Sequence, residues 1–386
     1  MRLFTGQAGF GWMAPRLRVL VLPLLGCACC IASLAAEPFI EKLDLFEANK
    51  DGYHTYRIPA LLVTAKGSVL AFCEGRKTGS GDHGDVDLIM KRSTDGGRTW
   101  SPHSIVFEEG GDAKITIGNP CPVVDTRTGA IWLPFTRDNK AVLITSSTDD
   151  GKTWSAPRNI SSTAMKPGWD WVATGPGIGI QLARGPHKGR LVIPSDHRID
   201  RGKARSADSE WNSHMMFSDD SGASWHIGAP IQSGGNECQV IERADGSLLV
   251  NTRMQGHWQG WRGIATSTDG GATWSAIQQE KQLPCPKCQA SLLRYDDQRL
   301  LFSNPFPPEP KDGKPSGARV RMTIRVSTDD GHTWSASKRL HEGPSAYSSL
   351  ARLPDGTMLC LYEGGGKGAY ESLRLARFNL EWLSAP

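Results

Sequence analysis

The sequence predicts an all-β protein, a six-bladed β-propeller with Asp-box repeats, and two repeated patterns carry this prediction. The first is a hairpin signature, in which two apolar, β-prone runs flank a tight turn, and it occurs six times. Successive turns lie 52 to 62 residues apart, a period that is typical of propellers with one blade per repeat. Six turns therefore predict six blades. The turns are Lys66-Gly67, Thr128-Gly129, Lys188-Gly189, Asp245-Gly246, Asp297-Gln298 and Asp355-Gly356.

The second pattern, Ser-x-Asp-x-Gly-x-x-Trp, follows the hairpin in five of the six repeats. An Asp in a tight turn accepts hydrogen bonds from backbone N–H groups one or two residues later, and a Gly adopts positive φ without strain. The Trp is expected to pack beside the turn and to hold the corner between two strands. These boxes predict the fold but not the function, because unrelated propellers carry them. The Asp and Trp residues are Asp95, Asp149, Asp220, Asp269, Asp329, Trp100, Trp154, Trp225, Trp274 and Trp334.

Composition agrees with a globular all-β protein and argues against one class of partner. The chain has 386 residues, of which 39% are hydrophobic, with 43 Gly and 24 Pro. These values are ordinary for a chain that buries a core. The formal net charge is only +4, and the Arg and Lys residues are scattered along the chain. No nucleic-acid partner is therefore expected.

The first 36 residues are predicted to be an export signal, and residues 37–386 are predicted to form the propeller domain. Arg16 and Arg18 precede an uncharged stretch that ends in small residues before Glu37, as in a cleaved leader. We expect a secreted or periplasmic protein with no stable membrane span after cleavage. Two alternatives remain open. One is a membrane anchor of marginal length, since spanning needs about 20 apolar residues. The other is a lipid on Cys27, because Leu24-Leu25-Gly26-Cys27 resembles a bacterial lipoprotein box.

Six cysteines follow the predicted signal. Four of them, at positions 73, 121, 238 and 360, lie in strand-like apolar runs and are expected to be small buried residues. Cys285-Pro-Lys-Cys288 is a single CxxC without a second ligand pair, which is weak support for zinc or redox chemistry. We expect a local disulfide or two free thiols there, and neither a metal site nor a cofactor.

Polar residues occupy equivalent strand ends in three of the six hairpins. The first strand begins about nine or ten residues before the second turn residue, and the second strand ends about seven residues after it. In a propeller, such ends gather around the central axis on one face, where ligands bind. Burying so many polar groups around one axis would be costly without a partner. The residues concerned are Arg57, Glu74, Glu237, Arg253, Tyr347 and Glu363.

These residues resemble a known family. Tyr56-Arg57-Ile58-Pro59, the five Asp boxes, Asn236-Glu237-Cys238-Gln239 and Tyr347-Ser348-Ser349-Leu350 together resemble the exo-α-sialidases of the six-bladed neuraminidase superfamily. The bacterial and lysosomal mammalian enzymes are the most similar in character, and the resemblance runs from Tyr53 to about Tyr370. It implies hydrolysis of terminal α-linked sialic acids on glycans, glycoproteins or gangliosides, with retention and without a cofactor.

The resemblance also implies a role for individual residues. Arg57, Arg253 and Arg319 match three arginines that clamp the substrate carboxylate, and Arg321 competes with Arg319 for the third place. Glu363 matches the carboxylate that steadies the first arginine, and Arg76 is counted with the substrate-binding residues.

The remaining matches concern the catalytic groups. Tyr347 matches the nucleophile, and Glu237 matches the base that activates it. Asp82 matches the acid/base residue on a mobile loop, although Asp85 and Asp87 lie close to it in the sequence.

Sialic acid chemistry explains why these residue types are needed. The sugar carries a carboxylate on its anomeric carbon, and planar guanidiniums bind carboxylates through paired hydrogen bonds that a Lys does not reproduce. A carboxylate nucleophile would be repelled by that charge, whereas a Tyr is neutral; sialidases are an established Tyr-nucleophile exception among glycosidases. Since the ordinary pKa of Tyr is about 10, the nucleophile needs a base within hydrogen-bond reach.

Rival functions remain open at the level of sequence. A propeller that binds sialic acid without catalysis would need only the arginines, so the joint presence of Tyr347, Glu237 and Asp82 argues against it. A trans-sialidase, or a hydrolase of another 2-keto-3-deoxy sugar acid, would differ only in loops. Four tryptophans are expected in such loops, either stacked on the aglycone sugar or packed structurally. They are Trp169, Trp171, Trp258 and Trp261.

Overall fold

A computed structural model describes residues 9–13, 36–199, 210–231, 234–255, 260–307 and 316–385. Almost all of the predicted export signal, including Cys27, lies outside these residues, so the signal stays a prediction. No helix among the described residues is both long and apolar enough to cross a membrane. The unit from Glu37 to Pro386 is compact and contains every strand and helix described below.

Six antiparallel sheets form the propeller, in the order of the six predicted repeats, which confirms the predicted fold. The chain begins with β1 (Ile40–Glu47), which belongs to the last sheet. The first sheet contains β2 (Thr55–Val63), β3 (Val69–Arg76), β4 (Val86–Ser93) and β5 (Ser104–Phe107). The second contains β6 (Ile117–Gly118), β7 (Val123–Val124), β8 (Ile131–Arg137), β9 (Ala141–Ser147) and β10 (Arg158–Asn159), and a short helix α1 (Ser161–Ala164) follows.

The other four sheets continue the same order. The third sheet contains β11 (Trp169–Thr174), β12 (Ile180–Gln181), β13 (Leu191–Ile199), β14 (Glu210–Ser218) and β15 (His226–Ile227). The fourth contains β16 (Gly235–Glu242), β17 (Leu248–Met254), β18 (Trp261–Ser267) and β19 (Gln278–Pro284). The fifth contains β20 (Ser291–Arg294), β21 (Leu300–Pro305), β22 (Met322–Ser327) and β23 (Ala336–Arg339). The sixth contains β24 (Ser345–Arg352), β25 (Met358–Gly364) and β26 (Ser372–Phe378), and a last helix α2 (Leu380–Ser384) follows.

Each predicted hairpin turn joins the inner strand of a sheet to its second strand. In the first sheet, for example, Val63 pairs with Val69 across the turn at Gly67, which has φ of +83°. In the second and third sheets the inner strand is interrupted. In the second sheet both β6 and β7 pair with β8, and in the third sheet both β11 and β12 pair with β13. The turn positions nevertheless keep their place in the repeat.

The five Asp boxes connect the third strand of a sheet to its outer strand. Asp95 accepts hydrogen bonds from the backbone N–H groups of Arg98 and Thr99 at 3.0 and 2.9 Å, and from the hydroxyl of Ser93 at 2.8 Å. The acceptor therefore reaches three and four residues forward, and not one or two as expected, because the turn closes around the carboxylate. Asp149 repeats the arrangement with Thr153.

The sixth sheet has no Asp box because its outer strand comes from the other end of the chain. β1 pairs antiparallel with β26, and Ile40 lies opposite Phe378. No connection runs from the third strand of this sheet to its fourth, so no turn of the Asp-box type is needed. This pairing closes the ring with residues that are more than 300 positions apart in the sequence.

Six apolar clusters lie between neighbouring sheets and hold the ring together. In one of them Leu61 and Ala71 of the first sheet pack against Leu359 and Leu361 of the sixth. The other five clusters fill the remaining junctions around the ring in the same way. All six cysteines beyond the predicted signal are buried, and no disulfide joins any of them within the described residues. This agrees with the expectation for four of them, and the local disulfide between Cys285 and Cys288 is not formed.

Candidate active site

Three irregular inner strands aim the predicted site residues into one cavity. The pairing register shifts between Arg57 and Ala60, between Gly235 and Cys238, and between Ser345 and Ser348. Such β-bulges turn a side chain away from the regular alternation and are frequent near functional sites. Arg57 lies at the edge of the first bulge, and Glu237 and Tyr347 lie inside the other two. The bulges come from three different sheets, and they bring Tyr347 into contact with Glu237 and with Arg57.

The hydroxyl of Tyr347 donates a short hydrogen bond to Oε1 of Glu237. Arg253 completes this group, since its Nη1 lies 2.7 Å from Oε2 of Glu237 and 3.1 Å from the Tyr347 hydroxyl. Burial, together with the negative charge of Glu237, raises the pKa of Tyr347 well above its ordinary value, although the nearby arginines act in the opposite direction. The phenol therefore keeps its proton until a base removes it, and the base in contact is Glu237.

Glu363 binds the guanidinium of Arg57. Its carboxylate is fully buried and accepts from Nε of Arg57 at 3.0 Å and from Nη2 at 3.4 Å. The backbone N–H groups of Ile58 and Tyr347 also donate to Glu363, each at 3.1 Å. The Arg57 guanidinium lies 4.2 Å from the ring centre of Tyr370. Glu363 thus joins the first sheet to the sixth and fixes the direction of Arg57.

The structure places Arg319, and not Arg321, beside Tyr347. The guanidinium carbon of Arg319 lies 5.6 Å from the ring centre of Tyr347, and its Nη1 and Nη2 donate to the Tyr370 hydroxyl and the Lys287 carbonyl at 3.2 and 2.5 Å. Arg321 is held through its backbone, which has φ of +60° and donates to Gly343. With Arg57 at 5.2 Å from the same ring and Arg253 at its hydroxyl, three guanidiniums surround Tyr347.

Asp82 lies at the mouth of the cavity, with 67% of its side-chain surface exposed. Its Oδ1 accepts from Nη1 of Arg57 at 3.1 Å and from Nη1 of Arg76 at 3.0 Å. Partial desolvation in the cavity would by itself raise the pKa of Asp82, but the charges of Arg57 and Arg76 outweigh it and lower the pKa below its ordinary value. Asp85 and Asp87 point elsewhere, toward Lys77 at 3.0 and 3.3 Å.

Arg76 connects the Asp82 segment to the wall of the cavity. Its Nη2 and Nε donate to Oε2 of Glu74 at 2.6 and 3.0 Å, in a pair that is almost completely buried. Its Nη1 donates to the carbonyls of Ser80 and Gly81 as well as to Asp82. The other oxygen of Glu74 accepts from the backbone N–H of Asn119 at 3.0 Å. Arg76 therefore lines the cavity and also shapes the loop before Asp82.

The cavity has further lining residues for which the sequence predicted no role. Two of them stand at the offsets of the turn spacing in the second and third sheets. Asn119 stands ten residues before Gly129, and Asp196 stands seven residues after Gly189. Trp211 and Gln255 had no such signal. The further lining residues are Asn119, Asn139, Ala173, Asp196, Trp211, Asn236 and Gln255.

Asp196 is fully buried beside Glu237 and differs from the other carboxylates of the site. One of its oxygens accepts from Nδ2 of Asn236 at 2.7 Å, and the other has no partner among the described residues. Burial, reinforced by the charge of Glu237, raises the pKa of Asp196 well above its ordinary value. This environment favours the protonated, neutral form of the Asp196 carboxyl.

Three of the four tryptophans that were expected in loops lie in strands instead, because β11 begins at Trp169 and β18 begins at Trp261. Trp171 lies in β11 and lines the cavity, with its ring centre 6.0 Å from that of Trp211. Trp169 stacks on His197 at 3.6 Å and packs structurally. Trp261 begins β18. Trp258 lies outside the described residues.

Within the ranges that the structure describes, no three His, Cys, Asp or Glu side chains lie together as candidate metal ligands. The side chains at the cavity supply a phenol with an adjacent base, three guanidiniums and a carboxyl at the mouth. This set can bind an anion, move a proton and form a covalent bond to the phenol oxygen.

Known proteins that are similar to this chain belong to one family. The family described as "BNR repeat-like domain" matches residues 67–360. The chain is 34% identical to a sialidase of Micromonospora viridifaciens over 90% of this chain, but it spans only 55% of that protein. It is 31% identical to an exo-alpha-sialidase of Aspergillus fumigatus, over 90% of this chain and 92% of the relative.

A solved structure leads to the same family. The Hadza microbial sialidase Hz136 superposes with a TM-score of 0.76 at 28% identity, over 89% of this chain and 69% of that one. Repeats, fold and relatives agree with the resemblance seen in the sequence. The chain therefore belongs to the exo-sialidases of the six-bladed, BNR-repeat propeller superfamily.

Proposed function

We propose that this protein is a retaining exo-α-sialidase, which removes terminal α-linked sialic acids from glycans, glycoproteins or gangliosides through a covalent bond to Tyr347. The observation that carries the proposal is the hydrogen bond from the Tyr347 hydroxyl to Glu237 inside a ring of three guanidiniums. A protein that only bound the sugar would need the arginines but not a base on the phenol.

The arginines give the cavity its preference for an anion. Arg57, Arg253 and Arg319 lie around Tyr347, and Glu363 and Glu237 each neutralise one of them. Among the described residues no carboxylate pairs with Arg319, which suits a substrate with a single carboxylate. Paired guanidinium–carboxylate bonds also fix the orientation of the sugar, so that the anomeric carbon faces the phenol oxygen.

The proposed reaction has two steps. In the first, Glu237 accepts the phenol proton while the Tyr347 oxygen attacks the anomeric carbon, and Asp82 donates a proton to the departing glycosidic oxygen. In the second, Asp82 removes a proton from water, the water oxygen attacks the same carbon, and Tyr347 leaves and recovers its proton from Glu237. Two inversions give net retention.

Two measurements test the proposal. Hydrolysis of a fluorogenic α-sialoside tests the activity, and proton NMR of the first product tests the stereochemistry, with the α-anomer expected. A 3-fluoro sialosyl fluoride should leave a covalent label on the peptide that contains Tyr347, and a Tyr347→Phe protein should take up none. A label on another residue, or a β-anomer as the first product, would contradict the mechanism and leave the substrate class untouched.

A further inference from the structure

Asp82, which lines the cavity, accepts a hydrogen bond from the one guanidinium nitrogen of Arg57 that does not contact Glu363. Nε and Nη2 of Arg57 are bound to Glu363, and the remaining nitrogen, Nη1, lies 3.1 Å from Oδ1 of Asp82. The same Asp82 oxygen also accepts from Arg76 at 3.0 Å. A ligand carboxylate that reached Arg57 from the cavity would meet a position already filled by a carboxylate of the protein.

This arrangement conflicts with the role of a proton donor. A general acid must carry its proton at the working pH. Between Arg57 and Arg76 the carboxyl of Asp82 is held ionised, because both guanidiniums lower its pKa. Asp82 in its resting position therefore has no proton to donate and has to change its surroundings before it can act.

We propose that Asp82 holds, in the free protein, the place on Arg57 that the substrate carboxylate takes in the complex, and that only a carboxylate-bearing ligand releases Asp82 for proton transfer. The inference rests on the proposed function. Asp82 would then determine specificity as well as act as an acid, because a neutral glycoside would leave Asp82 ionised and bound to Arg57.

The contacts of Asp82 allow this exchange. Two thirds of its side-chain surface is exposed, and exposed ion pairs contribute little to stability. The residues before it, Ser80 and Gly81, are held through their carbonyls by one nitrogen of Arg76. The ligand carboxylate, by contrast, would meet three guanidiniums around Tyr347, and those of Arg57 and Arg253 belong to side chains that are only 6% and 14% exposed. It should therefore win the competition for Arg57.

The exchange would also return a proton to Asp82. After displacement, Nη1 of Arg57 contacts the ligand carboxylate instead of Asp82, and the ligand adds a negative charge close to Asp82. Both changes favour the protonated carboxyl. The charged groups that still face Asp82 are Arg76, which is itself paired with Glu74, and the neighbouring His83. Ligand binding should therefore be coupled to uptake of one proton from solvent.

The test is a calorimetric titration with 2-deoxy-2,3-didehydro-N-acetylneuraminic acid and with the carboxamide of the same compound. We expect Asp82→Ala and Asp82→Asn proteins to bind the carboxylate ligand roughly two- to fivefold more tightly than the unmodified protein, the range of a partly exposed ion pair. Affinity for the carboxamide should not change. Titration in buffers of different ionisation enthalpy at pH 6 should show proton uptake by the unmodified protein and none by either variant.

Asp85→Asn is the matched control, because Asp85 lies three residues away, pairs with Lys77 and does not line the cavity. It should bind as the unmodified protein does. Unchanged or weaker binding of the carboxylate ligand by folded Asp82→Ala and Asp82→Asn proteins would overturn the inference. If the unmodified protein bound neither ligand, the proposed function itself would fail, so the two failures are distinguishable.

Discussion

The Asp boxes on the outer edge and the cavity at the axis use carboxylates in opposite ways. In the boxes, Asp95 is satisfied by Ser93, Arg98 and Thr99, all within four residues of it. In the cavity, Glu363 and Arg57 are 306 residues apart, and Glu237 and Tyr347 are 110 residues apart. The box is a local motif, whereas the cavity exists only after the ring has closed.

The difference has a physical consequence. A locally satisfied carboxylate can be repeated in five sheets without change, because it needs nothing from its neighbours. In the cavity each sheet contributes a different side chain, and some polar atoms have no partner among the described residues, including one oxygen of Asp196 and Nε of Arg253. We therefore expect changes at the axis to remove activity and to leave stability nearly intact, and changes at the boxes to do the reverse.

The largest effect is expected at the nucleophile and its base. Tyr347→Phe removes one oxygen, and Glu237→Gln removes the group that accepts the phenol proton, so kcat should fall by about a thousandfold or more in each. The melting temperature of both proteins should stay close to that of the unmodified protein. A Tyr347→Phe protein that kept full retaining activity would remove Tyr347 from the mechanism.

The arginines come next. Arg57→Lys and Arg319→Lys keep the charge and lose the planar pair of donors, so kcat/KM should fall by about ten- to a hundredfold, which corresponds to the 1.5–3 kcal/mol of a charged hydrogen bond. Arg321→Lys is the control and should behave as the unmodified protein, since Arg319 is the one beside Tyr347. If the Arg321 variant lost activity and the Arg319 variant kept it, the assignment would be reversed.

The third sheet should lose stability in acid. His197 and His214 are fully buried, with their Nδ1 atoms 3.0 Å apart. Burial, aided by Lys166, lowers the pKa of His197 to about 3, and burial with the neighbouring His197 and Lys166 lowers that of His214 as well. Below the ordinary pKa of about 6.5 the unfolded chain binds protons that the folded chain does not bind.

The two histidines should therefore leave the free energy of unfolding unaffected above pH 6.5. They should lower it progressively as the pH falls from 6.5 toward 3. The loss is about 1.4 kcal/mol per histidine for each pH unit at most. Melting temperatures measured from pH 7 to pH 5 check this. A His197→Phe protein, which keeps a ring against Trp169, should show a flatter profile, and an unchanged slope would contradict the assignment.

The smallest effect is expected at the boxes. Asp269 lies in the same sheet as Glu237 and accepts from the Ser267 hydroxyl and the Thr273 backbone at 2.7 and 2.9 Å. Asp269→Ala should cost about 1 kcal/mol of unfolding free energy and lower the melting temperature by a few degrees, with kcat and KM unchanged. An Asp269→Ala protein that lost activity but kept its melting temperature would contradict the expected difference between the Asp boxes and the cavity.

The sequence by itself determined the fold and the identity of most groups in the cavity. The turns at Gly67 and Gly246 and the box at Asp95 can be found without a structure, because their hydrogen bonds join residues within a few positions of one another. The recurring offsets within the repeats also placed Arg57, Glu237 and Tyr347 at strand ends that converge.

Only the tertiary structure decided how these groups are arranged. The bulges that turn Glu237 and Tyr347 inward, the choice of Arg319 over Arg321, the presence of Trp211 in the cavity and the resting place of Asp82 on Arg57 all depend on contacts between sheets. Those contacts join residues from different repeats and appear only when β1 closes the ring against β26. The repeat in the sequence describes the features that the blades share, whereas the site is built from side chains that differ from blade to blade.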